Sequence, residues 1–511
     1  MAASQLKGGV ILSYINLLIG NLIPFFYTPV MLDILGQAEN GLYGIANSVM
    51  GYISLLNFGI GSAIVRYLAK YRAQGDAEGE RWVIGLFLKA YGVIAVLILS
   101  AGIFVSFHLD GYGRSLTPEE LDKLAVLVRL MTLNTAVFVP FSVFSSITIA
   151  HERYIFNKIV NIFTTVAGPL LNLVMLFAGF GSVGLVATST IINFGSYLVY
   201  TWYSVRRLKI VPSFRPCPPG LLREILVFSG FAFLGSVVDM LYWSTGKLII
   251  GWGIGAAAVS VYNVGANFNS YITNLSTAVS GVLTPRIAEI VEREKDMTVL
   301  SELFIKVGRL QFLVISFILS AFIVFGRVFL HLWVGPGYAE AYPVALLTMV
   351  PVAVPLIQNT GLNILYVLNR HRFRSVVYLC IALLNVLLSF LWVEKYGIVG
   401  VAAATGLSYV VGNICIINWY YYRRIGLNIP KFWANILRMA PQMAVFILAG
   451  LAAVPRLGIG SWIEFLTAAA VYTALYLPLA YLFMMNRYER ELCLDLLKKA
   501  GRRLKKRGSL L

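Results

Sequence analysis

Apolar residues run along this chain in continuous blocks of about 20–28 residues, divided by short polar segments. Each block is long enough to cross the roughly 30 Å hydrocarbon layer of a membrane. The blocks are unbroken rather than alternating, so they predict helices, which satisfy their own backbone in lipid, and not barrel strands. Fourteen spans are expected, at about 8–31, 40–66, 82–107, 122–148, 155–178, 181–205, 222–250, 256–281, 303–326, 341–366, 373–392, 398–421, 433–452 and 461–485. The longest connection on the side opposite the termini, FHLDGYGRSLTPEELD at 107–122, has some sixteen residues. No loop of that size houses a catalytic domain, so whatever the chain does falls to the helix bundle, and no catalytic residues are assigned.

Composition supports the pattern. Charged residues make up 13% of the 511, against about 25% in soluble domains, while 59% are hydrophobic. A water-soluble enzyme is excluded, as are a disordered chain and a disulfide-stapled secreted one. The net charge of +18 raises the question of nucleic acid, and the placement of the bases answers it. With the N-terminus in the cytoplasm, 33 of the 41 Lys and Arg residues fall on the cytoplasmic side, six on the other side, and two, Lys89 and Lys247, inside spans. This is the positive-inside pattern, with both termini cytoplasmic and no nucleic-acid partner. The four Cys and four His are scattered without metal-ligand spacing, so no metal is expected. The first span lacks a cleavage site and reads as retained.

The sequence also repeats itself. At an offset of 219, Gly36, Tyr43, Tyr52, Ile53 and Leu56 recur as Gly255, Tyr262, Tyr271, Ile272 and Leu275. GSVGLVA at 181–187 resembles GIVGVAA at 397–403, Trp202-Tyr203 with Arg206-Arg207 matches Trp419-Tyr420 with Arg423-Arg424, and Pro140 pairs with Pro355. Six spans per repeat is an even number, so both halves enter the membrane in the same sense. The expected fold is an all-α integral membrane protein of about fourteen helices, two parallel six-helix lobes plus two extra C-terminal helices. The segments are a first lobe at 1–205, a basic, Pro-rich linker at 206–221, a second lobe at 222–424, helices thirteen and fourteen at 425–485, and a basic tail at 486–511 suited to the phospholipids of the inner leaflet.

Few residues inside the spans could carry chemistry. Asp239 is the one carboxylate deep in a predicted helix, and an intramembrane carboxylate is by default a functional candidate; it is the candidate ion-coupling residue, for H+ or Na+. Lys247 lies two turns on, and Lys89 sits in the inner third of span three. Arg66, Arg286 and Arg309 stand at cytoplasmic ends of spans, where a guanidinium suits diphosphate oxygens but topology alone also puts arginine. Asn263, Asn267, Ser270 and Asn274 share one face of span eight, and Asn47 lies in span two; such amides either glue helices together or line a wet sugar cavity.

The stretch TPVMLDILGQAENGLYGIANSVMGYISLLNFGIGSAIVRYLAKYRAQGD (28–76) resembles polysaccharide (O-antigen/capsule) flippases of the multidrug/oligosaccharidyl-lipid/polysaccharide exporter superfamily. KLIIGWGIGAAAVSVYNVGANFNSYITNLSTAVSGVLTPRIAEI (247–290) is similar to the same family's second-half segment. The resemblance implies two lobes around a cationic cavity in a bacterial cytoplasmic membrane, moving an undecaprenyl-diphosphate-linked oligosaccharide outward by alternating access, without cofactor and alongside other polysaccharide assembly proteins. Arg66, Lys89, Lys247, Arg286, Asn47, Asn263, Asn267 and Asn274 are then the candidate lining of that cavity. Two departures stand out. Gly246 takes the place of an acid that relatives often carry before the lysine, and helix 1 has Asn16 and Asn21 where peptidoglycan-precursor flippases use arginine. That substrate, and a multidrug/cation antiporter whose cavity would need more carboxylates, are the alternatives.

Overall fold

The computed structural model describes residues 2–215, 220–294, 296–368 and 370–495, without the side chains of 278–288 and of a few scattered positions. The chain is helical almost throughout. In order come α1 (Ala2–Ser54), α2 (Ile60–Ala73), α3 (Ala77–Phe107), α4 (Pro118–Phe138), α5 (Ser142–Ala150), α6 (Tyr154–Phe177), α7 (Gly181–Trp202), α8 (Leu221–Trp243), α9 (Thr245–Gly253) and α10 (Ala256–Arg293). They are followed by α11 (Met297–Val334), α12 (Ala341–Ile357), α13 (Asn359–Val367), α14 (His371–Tyr409), α15 (Asn418–Tyr420), α16 (Ile429–Leu437), α17 (Ala440–Leu457) and α18 (Trp462–Leu479). Side-chain oxygens start several of them: Asp76 accepts from Gly79 N, and Thr117 with Glu120 and Ser461 with Glu464 form capping boxes.

Among the described residues, nine helical runs are long and apolar enough to span a membrane, and two bent pairs raise the number to eleven. The apolar pattern predicts fourteen, and part of the difference has a backbone cause. Leu12–Asn57 turns at Gly36 (φ 73°, ψ 171°) and Phe373–Ile425 turns at Gly397 (φ 60°, ψ −147°), so each holds two expected spans in one run. Both torsion pairs lie close to a region that essentially only glycine enters.

The internal repeat shows in these backbone peculiarities. Gly36 and Gly255 both have positive φ, as do Gly181 and Gly397. The α4–α5 pair around Pro140 bends by 45° and the α12–α13 pair after Pro355 by 49°. Both Arg-Arg pairs close on a π-helical turn, Tyr203–Arg207 and Tyr421–Ile425. Four aligned deviations from regular helix, three of them at glycine or proline, are the structural counterpart of the sequence repeat.

The helices form two compact units interleaved along the chain: Met1–Gly265 with Tyr378–Ser408, and Ala266–Val377 with Tyr409–Leu511. In the first, α1 packs along α6 and α4, and α3 along α4 and α2. The start of α10 also belongs here. A Cβ on Gly41 would overlap the Ala256 carbonyl, and Asn40 Nδ2 donates to Ser260 Oγ at 2.7 Å, so α1 and α10 cross in backbone contact. In the second unit α11 is central, packed by α12, α16, α17 and α18 around Val324, Phe325, Met439, Tyr472 and Tyr476.

Two expected spans are discontinuous. The span at 40–66 breaks between α1 and α2, where Phe58 (φ 48°) and Gly59 (φ 67°) are left-handed. The span at 222–250 breaks at Ser244, between α8 and α9. Both lie within the first unit, the first break against α8 and the second against the end of α1.

Candidate functional site

Gly59 is where α2 meets α8: a Cβ there would sit 2.8 Å from both Phe233 N and Ser229 O. A few residues back, Tyr52 at the end of α1 reaches the other break. Its hydroxyl is bonded to Thr245 Oγ1 and lies 3.4 Å from the Met240 carbonyl oxygen. Gly51 fits only because it has no side chain, since a Cβ would come within 2.8 Å of Met240 Sδ. Within α9, the Leu248 carbonyl accepts from the Tyr112 hydroxyl at 2.7 Å, and burial pushes that phenol up, so it remains a neutral donor. Interrupted helices expose backbone groups that lipid cannot satisfy; they are tolerated where protein covers them or a wet cavity runs past them.

Of four candidate charged residues, Arg66, Asp239 and Lys247 lie on the elements flanking these breaks, and Lys89 lies on α3, which packs against α2. Arg66, on α2, is exposed, with its guanidinium 4.4 Å from the centre of the Phe228 ring of α8. That cation–π contact leaves its N–H groups free to take an anion. Lys89, on α3, is also exposed, but one of its donors is committed: Nζ bonds Phe214 O at 2.7 Å. The described part of the linker is strapped to α3 there, with Ser213 N donating to Arg81 O at 3.0 Å. Asp239 lies on α8 one residue before Met240 and is exposed, not buried among helices as its mid-span position suggests. Lys247 is half-buried on α9, across the Ser244 break. No hydrogen bond or ion pair joins these four to one another among the described residues.

The asparagines divide. Asn47 is exposed and donates to Tyr43 O of its own helix at 2.9 Å. Asn263 packs where Gly44 leaves room for its amide, and its buried Oδ1 has no partner among the described residues. Asn267 and Asn274, with Ser270, are exposed along α10 in the second unit. The side chain of Arg286 lies outside the described residues.

Arg309 is no open ligand. Its side chain is 8% exposed and forks onto Glu489, which is 2% exposed, with Nε–Oε1 at 2.7 Å and Nη2–Oε2 at 2.9 Å. It also donates to Met484 O at 2.9 Å and Asn435 O at 3.2 Å. Sequence reasoning misses the roles of Tyr52, Thr245 and Glu489. Tyr52 has one signal, its recurrence as Tyr271 in the repeat.

Residues 6–291 match the model of a family described as polysaccharide biosynthesis protein. An uncharacterized membrane protein, EpsK of Bacillus subtilis (strain 168), is 21% identical over 491 residues, covering 92% of this chain and 94% of its own. A putative O-antigen transporter of Shigella flexneri is 21% identical over 400 residues, covering 76% and 91%. Among solved structures, the lipid II flippase MurJ in an inward closed conformation superposes with a TM-score of 0.70 at 14% identity, over 93% of this chain and 98% of that one. This likeness shows the fold alone, an all-helical, multi-pass membrane fold.

Proposed function

Since the chain belongs to the polysaccharide biosynthesis protein family, we propose that it is a flippase carrying an undecaprenyl-diphosphate-linked oligosaccharide from the cytoplasmic to the outer leaflet of a bacterial cell membrane, for surface polysaccharide. The observation that carries the reading is the placement of Arg66 and Lys89. Both are exposed cations with uncommitted donors, on the adjoining helices α2 and α3. A diphosphate is the part of such a substrate that lipid rejects most strongly, and guanidinium and ammonium donors are its natural replacements for water. Asn47 and the α10 amides offer hydrogen bonds for sugar hydroxyls, and the polyprenyl tail stays in the bilayer. In this reading both termini are cytoplasmic, 1–205 and 222–424 act as two lobes joined by the linker at 206–221, and the breaks let them rock in alternating access. Asp239 is the coupling residue.

The test is translocation of an undecaprenyl-diphosphate-linked oligosaccharide by the purified chain in liposomes. Each lost charge-assisted contact removes about 1.5–3 kcal/mol, so the double variant R66Q/K89Q is expected to lower the rate at least tenfold. Full-rate translocation by that variant removes both residues from the site. Translocation of lipid II with none of the oligosaccharide lipid makes the cell-wall precursor the substrate instead, the reading that the fold likeness to the lipid II flippase favours.

A further inference from the structure

The end of α11 away from Arg309 carries a cavity with ionisable side chains in a largely apolar lining. Gly335 (φ 88°) stops the helix, a short turn at Pro336–Tyr338 follows, and the chain re-enters as α12. Between these elements lies a cavity of about 440 Å³ whose lining includes Arg327, His331, Glu340 and Tyr342, within the roughly 300–1,000 Å³ range of small-ligand sites. All of its lining belongs to the second unit.

Its chemistry is unusually uncommitted. Arg327 and His331 stand one turn apart on the same face of α11. The Arg327 guanidinium lies 5.1 Å from the centre of the Tyr342 ring, and that ring is pinned because its hydroxyl donates to Ile323 O at 2.7 Å. The arginine is therefore held over an aromatic platform with its N–H fork unused. Arg327, His331 and Glu340 are all exposed, and none makes a side-chain hydrogen bond or ion pair with another described residue. Arg327 and Glu340 share the cavity without pairing, which leaves a cationic fork and an anionic acceptor separately available. A planar fork selects a carboxylate or phosphate, while a carboxylate acceptor and an imidazole select hydroxyls. The ligand with both is an acidic sugar.

We propose that this cavity binds a saccharide unit bearing a carboxylate or phosphate substituent. Arg327 follows Arg309 on α11 by 18 residues, about 27 Å along a helix and close to the thickness of the hydrocarbon layer. The cavity thus opens at the opposite membrane surface from the Arg309–Glu489 pair, the outer surface in the orientation proposed above. The inference rests on the flippase reading for the source of the saccharide. It places a glycan-accepting site where a translocated headgroup emerges.

The test measures binding without translocation, on the purified full chain in nanodiscs of neutral lipid. The probes are a soluble glucuronate-containing disaccharide and its neutral glucose counterpart, followed by calorimetry or saturation-transfer NMR. The acidic disaccharide is expected to bind at least tenfold tighter than the neutral one. R327Q is expected to abolish that preference, and R114Q, at a different arginine that stacks on Trp252, to retain it. Equal binding of both probes, wild-type binding by R327Q, or an equal loss in R114Q overturns the proposal. So does competition by anionic phospholipid in the disc that displaces the disaccharide, since the cavity then holds a lipid headgroup. A chain that binds the acidic disaccharide but moves no lipid-linked oligosaccharide leaves this site standing and fails the flippase reading alone.

Discussion

Replacing Glu489 with glutamine separates two roles for Arg309, a staple within the second unit or a ligand for a passing anion. The side chains of the pair are 8% and 2% exposed, and the guanidinium makes four hydrogen bonds: two to the carboxylate and one each to the carbonyls of Met484 and Asn435. Glu489 Oε2 also accepts from Asn486 N at 2.8 Å, so the pair ties the turn after α18 to the middle of the bundle. E489Q keeps the shape, cancels the negative charge and turns one acceptor into a donor facing a donor. Breaking a buried pair by removing one partner costs about 3–5 kcal/mol, whereas replacing both partners by apolar residues of similar volume is often close to neutral. The assay is thermal unfolding of the full chain in detergent for E489Q, R309M and R309M/E489M. Both single variants should melt well below the wild type, and the double variant should recover most of the loss. Translocation per folded molecule should be unchanged in the double variant. A single variant that melts like the wild type refutes the staple, and one that keeps its stability but loses translocation makes Arg309 a substrate contact.

Gly36→Ala and Gly397→Ala should each destabilise by about 1–3 kcal/mol from backbone strain alone, because a Cβ meets nothing nearer than 4.0 Å at either position. Gly195→Ala, inside α7 and equally open, should instead be neutral or stabilise by up to about 1 kcal/mol; equal melting of all three variants would remove the kinks as the cause. D239N should weaken the dependence of translocation on pH or sodium, read in liposomes with imposed gradients. Unchanged dependence on both rules out Asp239 as the coupling residue.

Much of the fold is legible in the amino-acid sequence, and what is legible has local causes. The length of an apolar block is matched to the bilayer, so the helices and their approximate limits follow from composition along the chain. Gly36, Gly255, Gly181 and Gly397 stand out as a repeat in the letters because each serves a backbone torsion that other residues resist. The breaks at Phe58–Gly59 and Ser244 are not legible as breaks, because the few polar and glycine residues around them (Asn57, Gly59 and Gly61; Ser244, Thr245 and Gly246) are equally compatible with a continuous span. Phe58 is not a residue from which a left-handed turn would be read, and what holds the turn is the close approach of Gly59 to α8.

The functional charges divide along the same line. That few ionisable groups lie in or at the ends of the spans is determined by the sequence, because lipid excludes charge wherever the chain folds. What each charge does is decided by partners distant in the chain. Arg66 and Arg309 look alike as inner-end arginines, yet one lies open over Phe228 and the other is buried and forked onto a glutamate 180 residues away. Lys89 reads as free in the sequence, but Phe214 comes to rest on it; Arg327 reads as a stray outer base, but Tyr342 fixes it over a cavity. Which surface reaches a side chain is a property of packing, and only the tertiary structure supplies it.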